Sequence, residues 1–163
     1  GLSPLGGIDK AYLCEWLRWL EKEGLPMIGP LPFLHCVNEQ EPTAELRPLA
    51  AAQSDEDDLM PYHVLDAIER AAIREHRWPL EIWHDLQDHF PDLPPVQLAH
   101  YTECFFRLWC RNQWKRERLA PSFHLDEENL DPKTWCRFPI LSGNFETELE
   151  ALRAAAHPTS LDS

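Results

Sequence analysis

The chain has 163 residues, enough for one domain and short for two. Its 15 Lys and Arg against 28 Asp and Glu give a net charge of −13, which argues against a general nucleic-acid coat or an anionic membrane surface as partner, since both need a basic surface. A hydrophobic share of 44% supports a real core, and no apolar run approaches the roughly 20 residues of a membrane span.

The first helix signal follows Gly6 and Gly7. Asp9 is a candidate N-cap, and Leu13, Trp16, Leu17 and Leu20 recur at helical spacing until Gly24 and Pro26 end the run. From Pro26 to Pro48 the chain is Pro-rich and irregular, with an apolar patch at 31–37 that reads as a short strand. Residues 50–58 read as an exposed loop, because Asp55, Glu56, Asp57 and Asp58 would repel one another if packed. Pro61 suits the first turn of a second helix with Tyr62, Leu65, Ile68 and Ala72 as its apolar stripe. Pro79 opens a short third helix through Ile82, Trp83 and Leu86, broken by Pro91, Pro94 and Pro95.

A long helix is predicted from about Val96 to Arg118, with Leu98, Tyr101, Phe105, Leu108 and Trp109 as its apolar side. Residues 122–143 read as mostly extended, anchored by Phe123, Leu125, Trp135, Phe138 and Ile140. A last helix spans about 145–155, capped by Asn144, and the tail 156–163 frays. The chain therefore reads as mainly α-helical with long connections, an unusual pattern for a complete domain. It begins at Gly1 rather than Met, which reads as a piece or processed product of something longer.

Several classes of chemistry are excluded. With only 6 glycines there is neither G-x-x-x-x-G-K-[ST] nor G-x-G-x-x-G, hence no self-contained phosphate cradle. The 5 cysteines are odd in number and form no C-x-x-C, which speaks against a disulfide framework or structural zinc and for reduced thiols in a cytoplasmic protein. His84 and His89 are five apart, a poor spacing for a helical metal pair, so no metal site is assigned.

Three features could carry chemistry. Arg107, Arg111, Lys115 and Arg118 fall on one face of the predicted long helix, suited to phosphate or carboxylate; the alternative is a solvated face paired with Glu103 and Glu117. The small and acidic residues of 41–46 and 53–59 suit a lid or a cation-associated loop; the alternative is a turn followed by an acidic helix cap. Lys10, at the start of a helix after Gly6 and Gly7, can reach a phosphate, or is a plain surface lysine.

In combination the segments Ser3-Pro4-Leu5-Gly6-Gly7-Ile8-Asp9-Lys10, Pro42-Thr43-Ala44-Glu45-Leu46, Gln53-Ser54-Asp55-Glu56-Asp57-Asp58-Leu59 with Tyr62 and Asp66, and Asn112-Gln113-Trp114-Lys115-Arg116 resemble the C-terminal part of the synthetase domain of glutamine-dependent NAD synthetases. The order holds from Gly1 to about Pro121, and 135–145 resembles the tail of a bacterial branch. The resemblance implies an α/β parent fold, adenine-nucleotide α-hydrolase-like and Rossmann-like, of which residues 1–155 are an incomplete, mainly helical portion. It implies ATP-dependent amidation of deamido-NAD through an acyl-adenylate, with ammonia from glutamine, in a cytoplasmic homo-oligomer, a homodimer through this domain.

By the same resemblance Lys10 and Thr43 contact ATP. Lys115, Trp114, Glu45 and Arg111 serve deamido-NAD, and Gln53, Ser54, Asp55 and Glu56 belong to a lid. Trp114 stands where many members have His, and Gly1 where some have an Asp that contacts the dinucleotide. The Ser-Gly-Gly-x-Asp-Ser pyrophosphate loop, the Mg²⁺ ligands and the amidase domain are expected upstream, so no complete catalytic set lies in these residues and the piece is expected to be inactive alone. The alternative from another class is a non-catalytic helical interaction module, or a split subunit of such a ligase.

Overall fold

The computed structural model describes residues 3–40, 59–118, 120–124, 130–133, 135–139 and 143–157. The chain forms two compact units, residues 8–63 and residues 1–7 with 64–163. Among the described residues helices predominate, as the periodicity implies.

In the unit 8–63, α1 spans Lys10–Lys22. Asp9 sits at the N-cap in extended backbone, but its side chain makes no capping bond, and its carbonyl accepts from the Leu13 amide at 3.0 Å. Gly24 ends the run at φ +72°, and a Cβ there would fall on the Gly29 carbonyl, so only glycine fits. The strand expected at 31–37 is instead a 3₁₀ turn, Pro32–Leu34, leading into a helical turn α2, His35–Asn38. Pro32 at the first turn position fixes a helical φ, which overrides the apolar run. Glu21 ties α1 to α2, accepting from Asn38 Nδ2 at 2.7 Å and meeting His35 Nδ1 at 2.9 Å. Those contacts hold its carboxyl below the usual range, the Asn38 bond foremost.

Tyr62–Glu69 forms α3, which runs into a π-turn at Arg70–Arg74. The expected stripe shifts accordingly. Val64, Ile68 and Ile73 are buried, and the five-residue step from Ile68 to Ile73 follows from the wider π-turn, which displaces Ala72 from the inner face.

The core of the larger unit is three helices: α4 (Pro79–His89), α5 (Pro95–Arg111) and α7 (Glu146–Ala156), each packed on the other two. Ile82, Leu86, Leu98, Phe106, Leu149 and Leu152 are buried there. Trp83 Nε1 donates to the Pro95 carbonyl at 2.8 Å, which fixes the turn between α4 and α5. The start of α4 is closed by the Trp78 amide, which donates to Glu81 Oε2 at 2.9 Å.

The helix expected to run to Arg118 is interrupted. It ends at Arg111, Asn112 leaves helical geometry (φ −104°, ψ 13°), and a separate turn α6 spans Gln113–Arg116. Ser3–Gly6 (β1) pairs in parallel with Ser122–His124 (β2), a pairing that local sequence does not announce. A Cβ on Gly6 would come within 2.7 Å of Ser122 Cβ, so the close approach requires glycine there. Phe123, expected as an anchor, is 65% exposed, because strand alternation turns it away from the side that carries Ser122 and His124. Before α7 the flanking residue is Phe145, in left-handed backbone at φ 54°, rather than Asn144. Leu125, Ile140 and the tail from 158 lie outside the described residues. No described helix is long and apolar enough to cross a membrane.

Candidate functional site

The end of α5 and the turn α6 decide how the Asn112–Arg116 motif works. Gln113 and Arg116 are three apart and face inward; Trp114 and Lys115 between them face outward. Gln113 is 2% exposed and satisfied, donating through Nε2 to the Trp109 carbonyl at 2.8 Å and accepting from Arg116. Arg116 then spreads its donors over the carbonyls of Leu130 and Cys136, each at 2.5 Å, while its guanidinium lies 4.5 Å above the Trp109 ring. This clamp ties Leu130 and Cys136 to the end of α5 and makes a base for the outward pair.

On that base Lys115 Nζ sits 5.8 Å from the centre of the Trp114 ring, which is 48% exposed. The Lys115 amide donates to the Asn112 carbonyl at 2.9 Å, so the break at Asn112 itself positions the lysine. Arg111 and Arg118 are exposed nearby in sequence, and among the described residues neither they nor Lys115 meets a carboxylate. The outward cations can therefore oppose the charge of an anionic ligand, and the Trp114 ring offers a stacking face.

Arg107 does not belong with them. Its Nε donates to Glu103 Oε1 at 2.7 Å, and Glu103 is also held by Arg153 at 3.0 Å, with Glu146 closing the network. Those contacts draw the Glu103 carboxyl below its ordinary value, Arg153 contributing most, and raise both arginines. The single basic face expected over Arg107, Arg111, Lys115 and Arg118 is thus corrected: acids neutralise its first member, and the break at Asn112 interrupts the helix that would align the rest.

Lys10 lies in the other unit, at the first position of α1. A cation is disfavoured at a helix N-terminus. The Tyr62 ring, 5.2 Å from Lys10 Nζ, supplies an electrostatic counterpart. Thr43, Glu45, Gln53, Ser54, Asp55 and Glu56 lie outside the described residues. Arg111, Trp114 and Lys115 are therefore gathered in one stretch of the larger unit.

No family model matches this chain. It is 37% identical over 127 residues to a glutamine-dependent NAD(+) synthetase of Synechocystis sp., covering 78% of this chain and 19% of that protein. A glutamine-dependent NAD(+) synthetase of Bos taurus is 29% identical over 145 residues, covering 86% of this chain and 20% of the relative. A crystal structure of a glutamine-dependent NAD(+) synthetase from Cytophaga hutchinsonii superposes with TM-score 0.69 and 41% identity over 93% of this chain and 22% of the other. The chain is thus similar, along most of its own length, to one stretch of the glutamine-dependent NAD(+) synthetases. It spans about a fifth of the length of the curated relatives it matches.

Sequence reading missed what supports the outward pair. Arg116 and Gln113 read as two more polar residues of a motif, and the Leu130 and Cys136 carbonyls that give them their role have no side-chain signal. Glu103 was legible as a partner for Arg107, but Arg153 and Glu146 join only when α7 packs on α5. The ring cluster of Phe106, Trp109, Phe138 and Phe145 was also missed. Abundant aromatics at 105–109 and 135–145 were its sole sequence trace.

Proposed function

We propose that this chain is the C-terminal part of the synthetase domain of a glutamine-dependent NAD(+) synthetase, residues 1–155 serving an α/β nucleotide-binding core supplied by the rest of the enzyme. The reaction is ATP-dependent amidation of deamido-NAD: ATP adenylates the carboxylate, releasing pyrophosphate, and ammonia from glutamine displaces AMP to form the amide. The observation that carries this reading is the outward Trp114–Lys115 pair on its Gln113–Arg116 base, in a chain 41% identical to a solved synthetase.

In this reading Lys115 opposes dinucleotide phosphate charge, Trp114 gives a ring face, and Arg111 with Glu45 completes the deamido-NAD contacts. Lys10 and Thr43 serve ATP. The segment with Gln53, Ser54, Asp55 and Glu56 closes over the site and keeps water from the acyl-adenylate. Lys10 suits a phosphate, because its ammonium stands at the first position of α1, beside the positive end of the helix dipole. Among the described residues no group of three or more His, Cys, Asp or Glu could hold a metal, and in this reading the Mg²⁺ ligands lie in the upstream part of the enzyme. A cytoplasmic homodimer completes the reading.

Assaying NAD formation in the intact enzyme with Lys115→Ala tests it. The apparent KM for deamido-NAD should rise while that for ATP stays near its original value. An unchanged deamido-NAD response overturns the assignment. A second reading, a non-catalytic interaction module or split subunit, is favoured by one observation: Tyr12, Trp16 and Trp19 are 62%, 40% and 47% exposed on α1. A Ser-Gly-Gly-x-Asp-Ser loop encoded in frame upstream decides against it.

A further inference from the structure

A cavity of about 300 Å³ opens in the larger unit, and neither Trp114 nor Lys115 lines it. Its walls are rings. Phe145 meets Phe106 edge-on at 4.8 Å, stacks with Phe138 at 6.3 Å, and meets Trp78 edge-on at 6.2 Å. Trp78 is 53% exposed, so one wall of the cavity still shows an uncovered indole. The size is telling. An apolar cavity of about 150 Å³ holds one benzene ring, so this one has room for about two fused rings.

Polarity and backbone single out the same place. Arg77 lines the cavity but is taken by Asp85 and Glu75. Arg137 also lines it, is exposed, and among the described residues meets no carboxylate. Two of the described non-glycine residues with positive φ, His76 at 55° and Phe145 at 54°, both line it, and Asn144 at 61° adjoins. Left-handed backbone at residues of this size is strained, and such strain gathers at ligand clamps.

We propose that this cavity binds a planar, one- or two-ring aromatic anion, its rings held among Trp78, Phe138 and Phe145 and its acidic group against Arg137. Rings of this kind prefer edge-to-face or offset contacts, which the walls already make with one another. A guanidinium without a carboxylate partner is the group that selects an anion over a neutral ring of equal size. This site is separate from the dinucleotide assignment and does not depend on it.

Calorimetric titration of the whole chain with naphthalene-2-sulfonate and with naphthalene-2-methanol tests the proposal. The sulfonate should bind saturably, one to one, about tenfold tighter than the alcohol or better. Arg137→Gln, at an exposed position, should bring the sulfonate down to the alcohol without weakening the alcohol. Location has its own readout. Cys136 lines the cavity, so the sulfonate should slow its alkylation by iodoacetamide, with the exposed Cys36 unaffected as internal control. Absent saturation, equal affinities for the two probes, an unchanged preference in Arg137→Gln, or an unprotected Cys136 would each overturn it.

Discussion

The guanidinium of Arg116 lies 4.5 Å above the ring of Trp109 while it donates to the carbonyls of Leu130 and Cys136. One side chain thereby closes three jobs: it stacks, satisfies Gln113, and pins Leu130 and Cys136. Arg116→Lys keeps the charge but cannot span two carbonyls and an amide at once. Losing these charge-assisted bonds should cost about 2–3 kcal/mol. The melting temperature of Arg116→Lys should fall by about 4–10 °C. A melting temperature equal to the parent's would show that the clamp contributes nothing.

Glu103 gives a pH-dependent test. Its folded carboxyl titrates below the ordinary glutamate value of 4.5, because Arg153 and Arg107 both hold the charged form. A depressed folded value means stability that is fully present above 4.5 and is lost as pH falls through the lower, folded value. Glu103→Gln should therefore lower the melting temperature at pH 7, and the gap to the parent should close as the medium is made more acid than pH 4.5. A gap that stays constant from neutral to acid pH would remove the ionised network as its cause.

The three-helix core is tested at Leu149, which α7 buries completely between α4 and α5. Leu149→Ala leaves a void that rigid neighbours fill only in part, so a loss of about 2–5 kcal/mol is expected by denaturant titration. A loss under about 1 kcal/mol would mean that the helices close over the gap or that α7 docks weakly.

The helices were legible where a local signal was complete. Pro79 starts α4, and the spacing of Ile82, Trp83 and Leu86 names its buried face, whereas Pro95, which reads as a breaker, is itself the first residue of α5. Elsewhere a nonlocal event overrode the local one. The π-turn after Glu69 moved the buried position from Ala72 to Ile73. The break at Asn112 divided what periodicity joins, and β1 exists because β2, more than a hundred residues later, supplies its partner. The candidate site divides the same way. Lys115 and Trp114 were named from their motif, but which motif members face inward depends on where the helix stops. Arg107 went to Glu103, the partner its spacing offered, and only Arg153 and Glu146 needed α7 in place to join them.

Lys115 is the sharpest functional prediction because its neighbours provide the control. Its ammonium sits over Trp114, 5.8 Å from the ring centre, and makes no ion pair among the described residues, so removing it should leave the fold intact. In the intact enzyme Lys115→Ala should lose one charge-assisted contact to deamido-NAD, worth about 1.5–3 kcal/mol. That corresponds to a rise of about 10- to 150-fold in apparent KM for deamido-NAD. Lys115→Arg should recover part of it, since charge is kept and only placement changes. Arg118→Ala, removing an exposed cation three residues on, should change the KM far less. If Lys115→Ala and Arg118→Ala behave alike, the basic end of this segment acts through its general field and Lys115 has no specific contact.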